Sequence, residues 1–317
     1  MVKGDALTEQ FYARAKRGYS RCLWPTMKCP NKAINAHSVQ RATALALIAE
    51  KRKVMELRSK IVEGQLRSRF ESRGLRQAST FTGLCAEHDA TVFRSIDTQP
   101  LDFNNPAQMF LIAWRSVTRE VHATMAGADN LQNALRTAVE DGRVSPDEDS
   151  PPLLWATRAL MRAYVTHCYR TEYYDRVFAS GRFGDILHSV VPIKERQPVL
   201  ASSSFFAVDD RRLERDLPRL VLNVIPSSQE ETTVIFSYPR THADSCRERI
   251  QPILQSCGEN QLLALSTMIL DATENFFVRP SHVAGWPDQK RMRIEEAFRS
   301  TVTQDADLQP ANDLMLF

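Results

Sequence analysis

Four potential metal ligands constrain the fold of this 317-residue chain more than any other feature of its sequence. They are Cys22, Cys29, Cys85 and His88. Thiolate and imidazole are the ligands that Zn²⁺ prefers, and four of them in a tetrahedral array form a closed structural site. If all four bind one ion, the chain must fold so that the segment with Cys85 and His88 lies beside the segment with Cys22 and Cys29. The alternative is two buried thiols, one exposed thiol and an exposed histidine.

The two halves of this predicted zinc site differ in regularity. Cys85 and His88 are separated by two residues at the expected start of a helix, so both side chains can reach one ion as the chain enters its first turn. Cys22 and Cys29 are separated by six residues, which is longer than the usual two to four between neighbouring ligands. Because Pro25 lies between them, we expect a loop or short hairpin at this half of the site.

The composition excludes several classes of protein. Six cysteines in 317 residues are too few for a disulfide scaffold, and a hydrophobic fraction of 43% is ordinary for a globular chain. No apolar run approaches the roughly 18–20 residues that a membrane span needs. The N-terminus has no apolar core of the kind that a secretory signal requires. We therefore expect a cytoplasmic protein without a membrane partner.

The formal net charge of +3 hides a division of the chain into two parts. Residues 1–96 contain 18 Lys and Arg against 8 Asp and Glu, a net charge of +10, whereas the rest of the chain carries −7. The length predicts about two domains. We place a basic module at 1–97 and an acidic domain at 98–317. A basic segment on an acidic body indicates an anionic partner for that segment.

The residues that we expect to contact nucleic acid come from one basic run. The candidates are Arg41, Lys51, Arg52, Lys53, Arg73 and Arg76. The same run also contains Arg58, Lys60, Arg67 and Arg69. Such residues hold a phosphate backbone without reading bases. The alternative interpretation is a solvated charged surface.

The sequence predicts an α+β fold. In the acidic domain, helical spacing predicts helices over 104–181, with Gly127 ending the first of them. Short runs of β-branched and aromatic residues then predict a small antiparallel sheet, followed by further helices, over 185–302. In the basic module, we expect a short strand at 53–58 and a solvated or mobile connection at 60–77.

The basic module resembles the treble-clef, ββα-metal-like zinc fold of HNH-type nucleases. The resemblance is carried by the cysteine pair, by the histidine in Ala36-His37-Ser38, and by the run Leu84-Cys85-Ala86-Glu87-His88-Asp89 at a helix start. It covers residues 20–95. The strings AHSVQ and ASTFTGLCAEHD also resemble an N-terminal module found in a broad set of bacterial proteins.

The resemblance implies roles for individual residues. The four ligands would hold structural Zn²⁺, and His37 would be the general base that activates water for attack on a phosphodiester. Asp89 would take the position that binds a catalytic Mg²⁺ or Mn²⁺, since hard cations favour oxygen ligands. The family's orienting asparagine has no counterpart here, where the equivalent stretch is 78–83. Ala36 stands where an acidic residue usually precedes the base.

These features predict a metal-dependent protein that binds nucleic acid, DNA rather than RNA, and cleaves phosphodiester bonds. By association with the family, they also suggest a role in bacterial antiviral defence. The alternative is a non-catalytic adaptor, stabilised by zinc, that binds nucleic acid or a protein partner. The missing asparagine favours this alternative. In either case, 98–317 is the expected surface for self-association or a protein partner.

Overall fold

A computed structural model describes residues 18–62, 65–145, 150–208, 213–304 and 308–317, apart from a few individual side chains such as that of Arg41. In these ranges the strands are β1 Ala33–His37, β2 Lys53–Val62, β3 Gln65–Gly74, β4 Thr80–Cys85, β5 Ile186–Lys194, β6 Val199–Phe206, β7 Arg219–Pro226, β8 Glu231–Pro239 and β9 Phe276–Val278.

The α-helices of the same ranges surround these strands. They are α1 Ala46–Ile48, α2 Ala86–Val92, α3 Arg94–Asp97, α4 Pro106–Glu140, α5 Pro151–Tyr169, α6 Arg176–Ser180, α7 Ala243–Leu254, α8 Gly258–Ala272, α9 Pro280–Ala284 and α10 Asp288–Gln304. A π-helical segment, Arg170–Asp175, joins α5 to α6. The fold is therefore α+β, as the sequence predicts.

The strands form one large sheet and one small one, all of them with antiparallel neighbours. The large sheet has seven strands in the order β3-β2-β9-β6-β7-β8-β5, and the small sheet pairs β1 with β4. Seven strands contradict our expectation of a small sheet. The difference arises because the basic N-terminal part contributes β2 and β3 to the sheet of the acidic part.

The β2–β3 hairpin replaces the irregular connection expected at 60–77. Ten residues of each strand pair without a break in register, from Lys53 opposite Gly74 to Val62 opposite Gln65. The high charge of this segment suggested a solvated loop. The charged residues of its two strands, Lys53 apart, instead lie on one face of the ribbon, while Phe70 on the other face contacts Trp286 and Phe276. A strand with one packed face can carry charges on the other.

Helix α4 runs for 35 residues through the position where we expected Gly127 to end it. Its start agrees with the prediction, because Pro106 occupies the first turn and the Asn105 side chain accepts the amides of Ala107 and Gln108 at 3.0 and 3.2 Å. A glycine inside a helix costs only about 1 kcal/mol relative to alanine. The helix continues past Gly127 because its second half packs on α5, where Ala128 and Ala134 are buried and Gln132 donates to the Ala156 carbonyl at 2.9 Å.

Two hydrophobic layers cover the two faces of the large sheet. One contains Trp114 and Val117 of α4 against Leu200, Val221 and Ile235 of the central strands. The other packs residues of α7, α8 and α10 against the alternate residues of the same strands. Because both faces are covered, β7 is buried along its entire length.

The large sheet and one hydrophobic core both contain residues from each side of the expected domain boundary at residue 97. Strand β2 pairs with β9 through Met55 opposite Val278 and Glu56 opposite Phe277. The layer that contains Trp114 also contains Leu45 and Cys85. The division into a basic and an acidic part is therefore a division of charge along the sequence, and the core does not separate at that point.

His188 on β5 gives the fold a testable dependence on pH. Burial lowers the pKa of His188 to about 4, and its Nδ1 lies 2.8 Å from the Ser237 hydroxyl. The unfolded chain binds this proton near pH 6.5, so stability is full above that pH and falls as the pH drops towards 4. We expect a loss of up to about 3 kcal/mol over this window.

Urea unfolding at pH 7 and pH 5 checks this expectation. In the variant His188→Gln, the difference in unfolding free energy between the two pH values should shrink by about 2 kcal/mol, since the group that titrates is gone. An identical difference in the variant and in the unaltered protein would contradict the assignment.

Candidate metal centre

The structure brings the four predicted zinc ligands together. Cys22, Cys29, Cys85 and His88 each offer one ligand atom, and these atoms all lie within 4.8 Å of one another. It is the one group of three or more His, Cys, Asp or Glu residues in the described chain whose geometry could hold a metal ion.

The loop that carries the first two ligands is attached to β4. The amides of Arg21 and Leu23 donate to the carbonyls of Thr82 and Gly83 at 3.2 and 2.7 Å, which fixes Cys22 between them. The long spacing to Cys29 is accommodated by a turn in which the Met27 amide donates to the Trp24 carbonyl.

The other two ligands sit where a strand becomes a helix. Cys85 is the last residue of β4 and precedes the first turn of α2, and His88 lies within that turn. Strand β4 is held in register by β1, with Ala33 opposite Cys85. The two-residue spacing therefore places both side chains on one point, as the sequence predicts.

The distances suit a tetrahedral Zn²⁺ ion. The Nδ1 atom of His88 lies 3.3 Å from the sulfur of Cys22 and 3.3 Å from that of Cys85, and the sulfurs of Cys29 and Cys85 are 3.9 Å apart. Zn–S and Zn–N bonds of standard length at a tetrahedral angle place ligand atoms about 3.5–3.8 Å apart. The donor set and its spacing thus fit a closed structural site with four protein ligands.

Burial makes the site depend on a cation. Burial raises the pKa of Cys22 to about 11, so that thiol is neutral unless a metal displaces its proton. Burial also acts to raise the pKa of Cys85, but the backbone amides of His88 and Glu87 and the neighbouring thiols lower it below its ordinary value. The thiolate of Cys85 is thus favoured by the helix terminus, whereas that of Cys22 requires the ion.

Two residues that the sequence analysis did not single out surround the ligands. The ring of Trp24 stacks on His88 at 4.0 Å with an interplanar angle of 7°, which fixes the orientation of the imidazole. Arg170 is fully buried, and its electrostatic partners include Cys22 and Asp175. Three thiolates exceed the charge of Zn²⁺ by one, and a buried guanidinium compensates such an excess.

His37 lies at the foot of the β2–β3 hairpin. It is the last residue of β1, and its Nδ1 is 3.0 Å from the carbonyl oxygen of Ala78 and 3.2 Å from the Ser79 hydroxyl. A carbonyl only accepts, so Nδ1 carries the proton and Nε2 carries the lone pair. The Ala78 amide donates in turn to Gly74, the last residue of β3.

Asp89 has a different environment from the one that the resemblance implies. It lies half-buried on α2, burial raises its pKa, and its electrostatic partners are Arg115 and Asp97. Arg115 binds Asp97 through two hydrogen bonds of 2.9 and 2.6 Å and lies over the Phe93 ring. In the described part of the chain, no cluster of three or more metal-ligating groups includes His37 or Asp89.

The predicted nucleic-acid contacts lie mainly at the base of the hairpin. Lys51 and Arg52 form the tight turn before β2 with positive φ angles of 49° and 61°, and Lys53, which begins β2, and Arg76, just after β3, are exposed. Arg73 on β3 pairs with Glu56 at 3.0 Å. The side chain of Arg41 lies outside the described residues.

The outer half of the hairpin completes this basic surface. Arg58 and Lys60 on β2 lie directly opposite Arg69 and Arg67 on β3. The sequence carries a signal for this arrangement, because charged residues alternate with others in the run Arg67-Ser68-Arg69-Phe70-Glu71-Ser72-Arg73. Alternation of this kind indicates a strand with one polar face.

No family model, curated protein or solved structure matches the chain. Among the described helices, none combines the length and the apolar character that crossing a bilayer would need.

The metal centre is tested by its content of zinc. Elemental analysis should find about one zinc ion per chain. Cys85→Ser should lose it and unfold at lower temperature, because zinc binding at a structural site contributes directly to folding. Cys257→Ser, which alters an exposed cysteine outside the cluster, is the matched control and should keep both. A metal-free protein that is fully folded would contradict the assignment.

Proposed function

We propose that this chain is a zinc-stabilised nucleic-acid-binding protein whose β2–β3 hairpin contacts the phosphate backbone of DNA. The observation that carries the proposal is the pairing of like charges across the hairpin, with Arg58 opposite Arg69 and Lys60 opposite Arg67. Like charges directly opposite each other destabilise a sheet. A polyanion seated on that face would turn this cost into a favourable interaction.

The charged face has a clear excess of positive charge. It carries five cationic residues, Arg58, Lys60, Arg67, Arg69 and Arg73, against the two carboxylates of Glu56 and Glu71. Glu56 pairs with Arg73, and Glu71 pairs with Lys60. The described part of this face therefore carries a net charge of +3.

The hairpin also has the shape and support of a nucleic-acid-binding ribbon. Its ten-residue strands extend about 33 Å at the usual rise per residue. The major groove of B-form DNA admits a two-stranded β-ribbon, whereas the deep, narrow major groove of A-form RNA does not. Phe70 packs on Trp286, and its amide donates to Glu295 of α10 at 3.1 Å, so the opposite face is held by the body of the protein.

The metal centre has a structural part in this proposal. The order of elements is the one expected of a treble clef. A loop with two ligands comes first, then the antiparallel strands β1 and β4, and last a helix with the other two ligands at its start. Four protein ligands leave zinc no open position for a substrate. The ion would hold the ends of the segment that contains the hairpin.

The salt dependence of DNA binding tests the role of the hairpin. Replacing Arg58, Lys60, Arg67 and Arg69 together by Gln should weaken binding to duplex DNA of any sequence. The slope of log affinity against log salt should become less steep by about 3–4, because each phosphate contact contributes about 0.9. Fluorescence anisotropy with a labelled duplex between 50 and 200 mM salt measures this slope.

The matched control removes the same charge elsewhere. The quadruple variant Arg136→Gln, Arg176→Gln, Arg182→Gln and Arg247→Gln alters exposed arginines on other elements and should leave the slope unchanged. Equal effects of the two variants, or an affinity that does not vary with salt, would reject the hairpin as the contact surface. Tighter binding to single-stranded or duplex RNA would reject DNA as the preferred ligand.

A second candidate function, phosphodiester cleavage, is favoured by the geometry of His37. Hydrogen bonding of Nδ1 to Ala78 leaves Nε2 as the basic atom and fixes the ring, which is the task of the asparagine that the sequence lacks. The residue lies where the chain leaves the basic hairpin. A bound Mg²⁺ or Mn²⁺ would neutralise charge on the phosphate. Asp89 as its ligand remains a prediction from the resemblance.

Cleavage of supercoiled plasmid in Mg²⁺ or Mn²⁺ tests this second function. His37→Ala should lower the rate by a factor of about 10² to 10⁴, which is the usual contribution of a general base. Zinc content and DNA affinity should stay as in the unaltered protein. Cleavage at the same rate by the variant would exclude His37 as the base. DNA binding without cleavage by the unaltered protein would instead support the non-catalytic alternative.

A further inference from the structure

The large sheet ends in two edge strands, β3 and β5, and only β3 is protected against pairing with another chain. Charged residues alternate along β3 from Arg67 to Arg73. The Phe70 amide of the same strand donates to the Glu295 side chain at 3.1 Å. Natural proteins protect sheet edges with charges, prolines, bulges or a covering element, because a free edge is a template for a further strand. Strand β3 has two of these protections.

Strand β5 is long and uncharged. The eight residues from Ile186 to Ile193 include no Asp, Glu, Lys or Arg. Its pairing with β8 runs without a bulge from Ile186 opposite Pro239 to Lys194 opposite Glu231. In the part of the chain that the structure describes, no strand lies on its other side. An edge of this kind is a place where a further strand can pair.

The hydrogen bonds to β8 show which backbone groups of β5 point away from the sheet. The Glu195 amide donates to the carbonyl of Glu230, its partner in the continued register, at 2.7 Å. Bonded and non-bonded pairs alternate along an antiparallel ladder. The odd-numbered residues of β5 therefore bond to β8, and the amides and carbonyls of His188 and Val190 point outwards. No described residue bonds to these outward groups.

The free stretch of this edge is short. At one end, the Ile186 amide already donates to the Phe183 carbonyl. At the other end, Pro192 also faces outwards and has no N–H to offer. A ladder centred on two residues has the size of a peptide site, whereas a stable protein–protein interface buries roughly 1,200–2,000 Å². The edge therefore fits a short extended segment.

A groove of about 400 Å³ lies beside the same part of β5. Its lining consists of Ser189 and of the side chains that α7 and its end turn towards the edge, namely Arg247, Glu248, Gln251, Leu254 and Gln255. Leu254 is 44% exposed, and the two charged residues of the lining have opposite signs. Directly opposed residues of an antiparallel pair point to the same face, so a residue opposite Ser189 would direct its side chain into this groove.

A second copy of this chain would leave the groove empty. The outward groups of β5 allow two copies to pair about a two-fold axis at His188 or at Val190. The residue opposite Ser189 would then be Leu187 or Val191 of the other copy. Both residues pack in the hydrophobic layer of their own sheet and helices, so neither can enter the groove. The occupant is therefore a strand with a free side chain at this position.

We infer that β5 binds an extended, uncharged segment of another protein as an additional antiparallel strand, with an aliphatic side chain in the groove beside Ser189. Hydrogen bonds to the backbone of His188 and Val190 would supply affinity, and the groove would supply specificity. The site is independent of the proposed DNA contact, because β5 and the hairpin lie at opposite edges of the sheet.

The fluorescein-labelled peptide TVTLTVT tests this inference by anisotropy with the full chain. It should bind saturably with its leucine opposite Ser189. N-methylation of the two threonines next to the leucine should weaken binding at least tenfold, because their N–H groups would face β5. N-methylation of the two valines is the matched control and should keep the affinity, since those N–H groups would face away. Replacing the leucine by aspartate should also weaken binding at least tenfold.

Two variants of the protein test the same site. Val190→Pro removes an outward amide in a strand that already contains Pro192, and Leu254→Lys removes the apolar wall of the groove. Each should weaken peptide binding at least tenfold. Met292→Lys, which alters another exposed apolar residue on α10, should leave the affinity unchanged. Urea unfolding shows whether each variant is folded, and the surface variant Leu254→Lys remains informative if Val190→Pro is not.

Four results would overturn the inference. They are the absence of saturable peptide binding up to millimolar concentration, equal affinities of the two N-methylated peptides, unchanged affinity in the folded variants, and a dimer in sedimentation experiments that Val190→Pro dissociates. The last result would mean that a second copy covers the edge.

Discussion

Three consecutive residues, Phe276–Val278, hold the two halves of the large sheet together. This short strand, β9, pairs on one side with β2 and on the other with β6, so it is the link between the N-terminal hairpin and the strands β5–β8. All three residues are buried. Just before the strand, Asn275 donates to the Ser202 carbonyl and to the Ser38 hydroxyl, which ties the same two regions across the core. The position of the basic hairpin depends on this bridge.

The metal centre acts on the same segment from its other end. The chain enters the region between the ligand pairs through β1 and leaves it through β4, and the ion would hold those two ends together. The hairpin is thus attached to the protein at both its base and its inner strand. In the function that we propose, a ribbon fixed at these two places would present its cationic face without large rearrangement, which would reduce the entropy that binding has to overcome.

Local sequence patterns were sufficient where one physical effect dominated. Ligand chemistry predicted the cluster of Cys22, Cys29, Cys85 and His88, and apolar runs predicted the strands around 219–239. The high charge density at 60–77 predicted a solvated connection instead of the β2–β3 hairpin. The contact that buries one face of the hairpin involves Trp286, which is distant in sequence. Adjacency to His88 could not place Asp89, since each helix residue turns by about 100° and so directs Asp89 towards Arg115.

The opposing charges of the two parts of the sequence have a structural explanation. If the basic and acidic parts were separate domains, attraction between them would be a matter of docking. Here the basic strands belong to the sheet of the acidic part, and the pairing of β2 with β9 fixes the distance between the two parts. Like-charged pairs such as Arg58 opposite Arg69 are destabilising. The burial of Phe70 on the reverse face offsets that cost. Stability alone would favour opposite charges at these positions, and this is the reason that we propose an external polyanion as the partner of the cationic face.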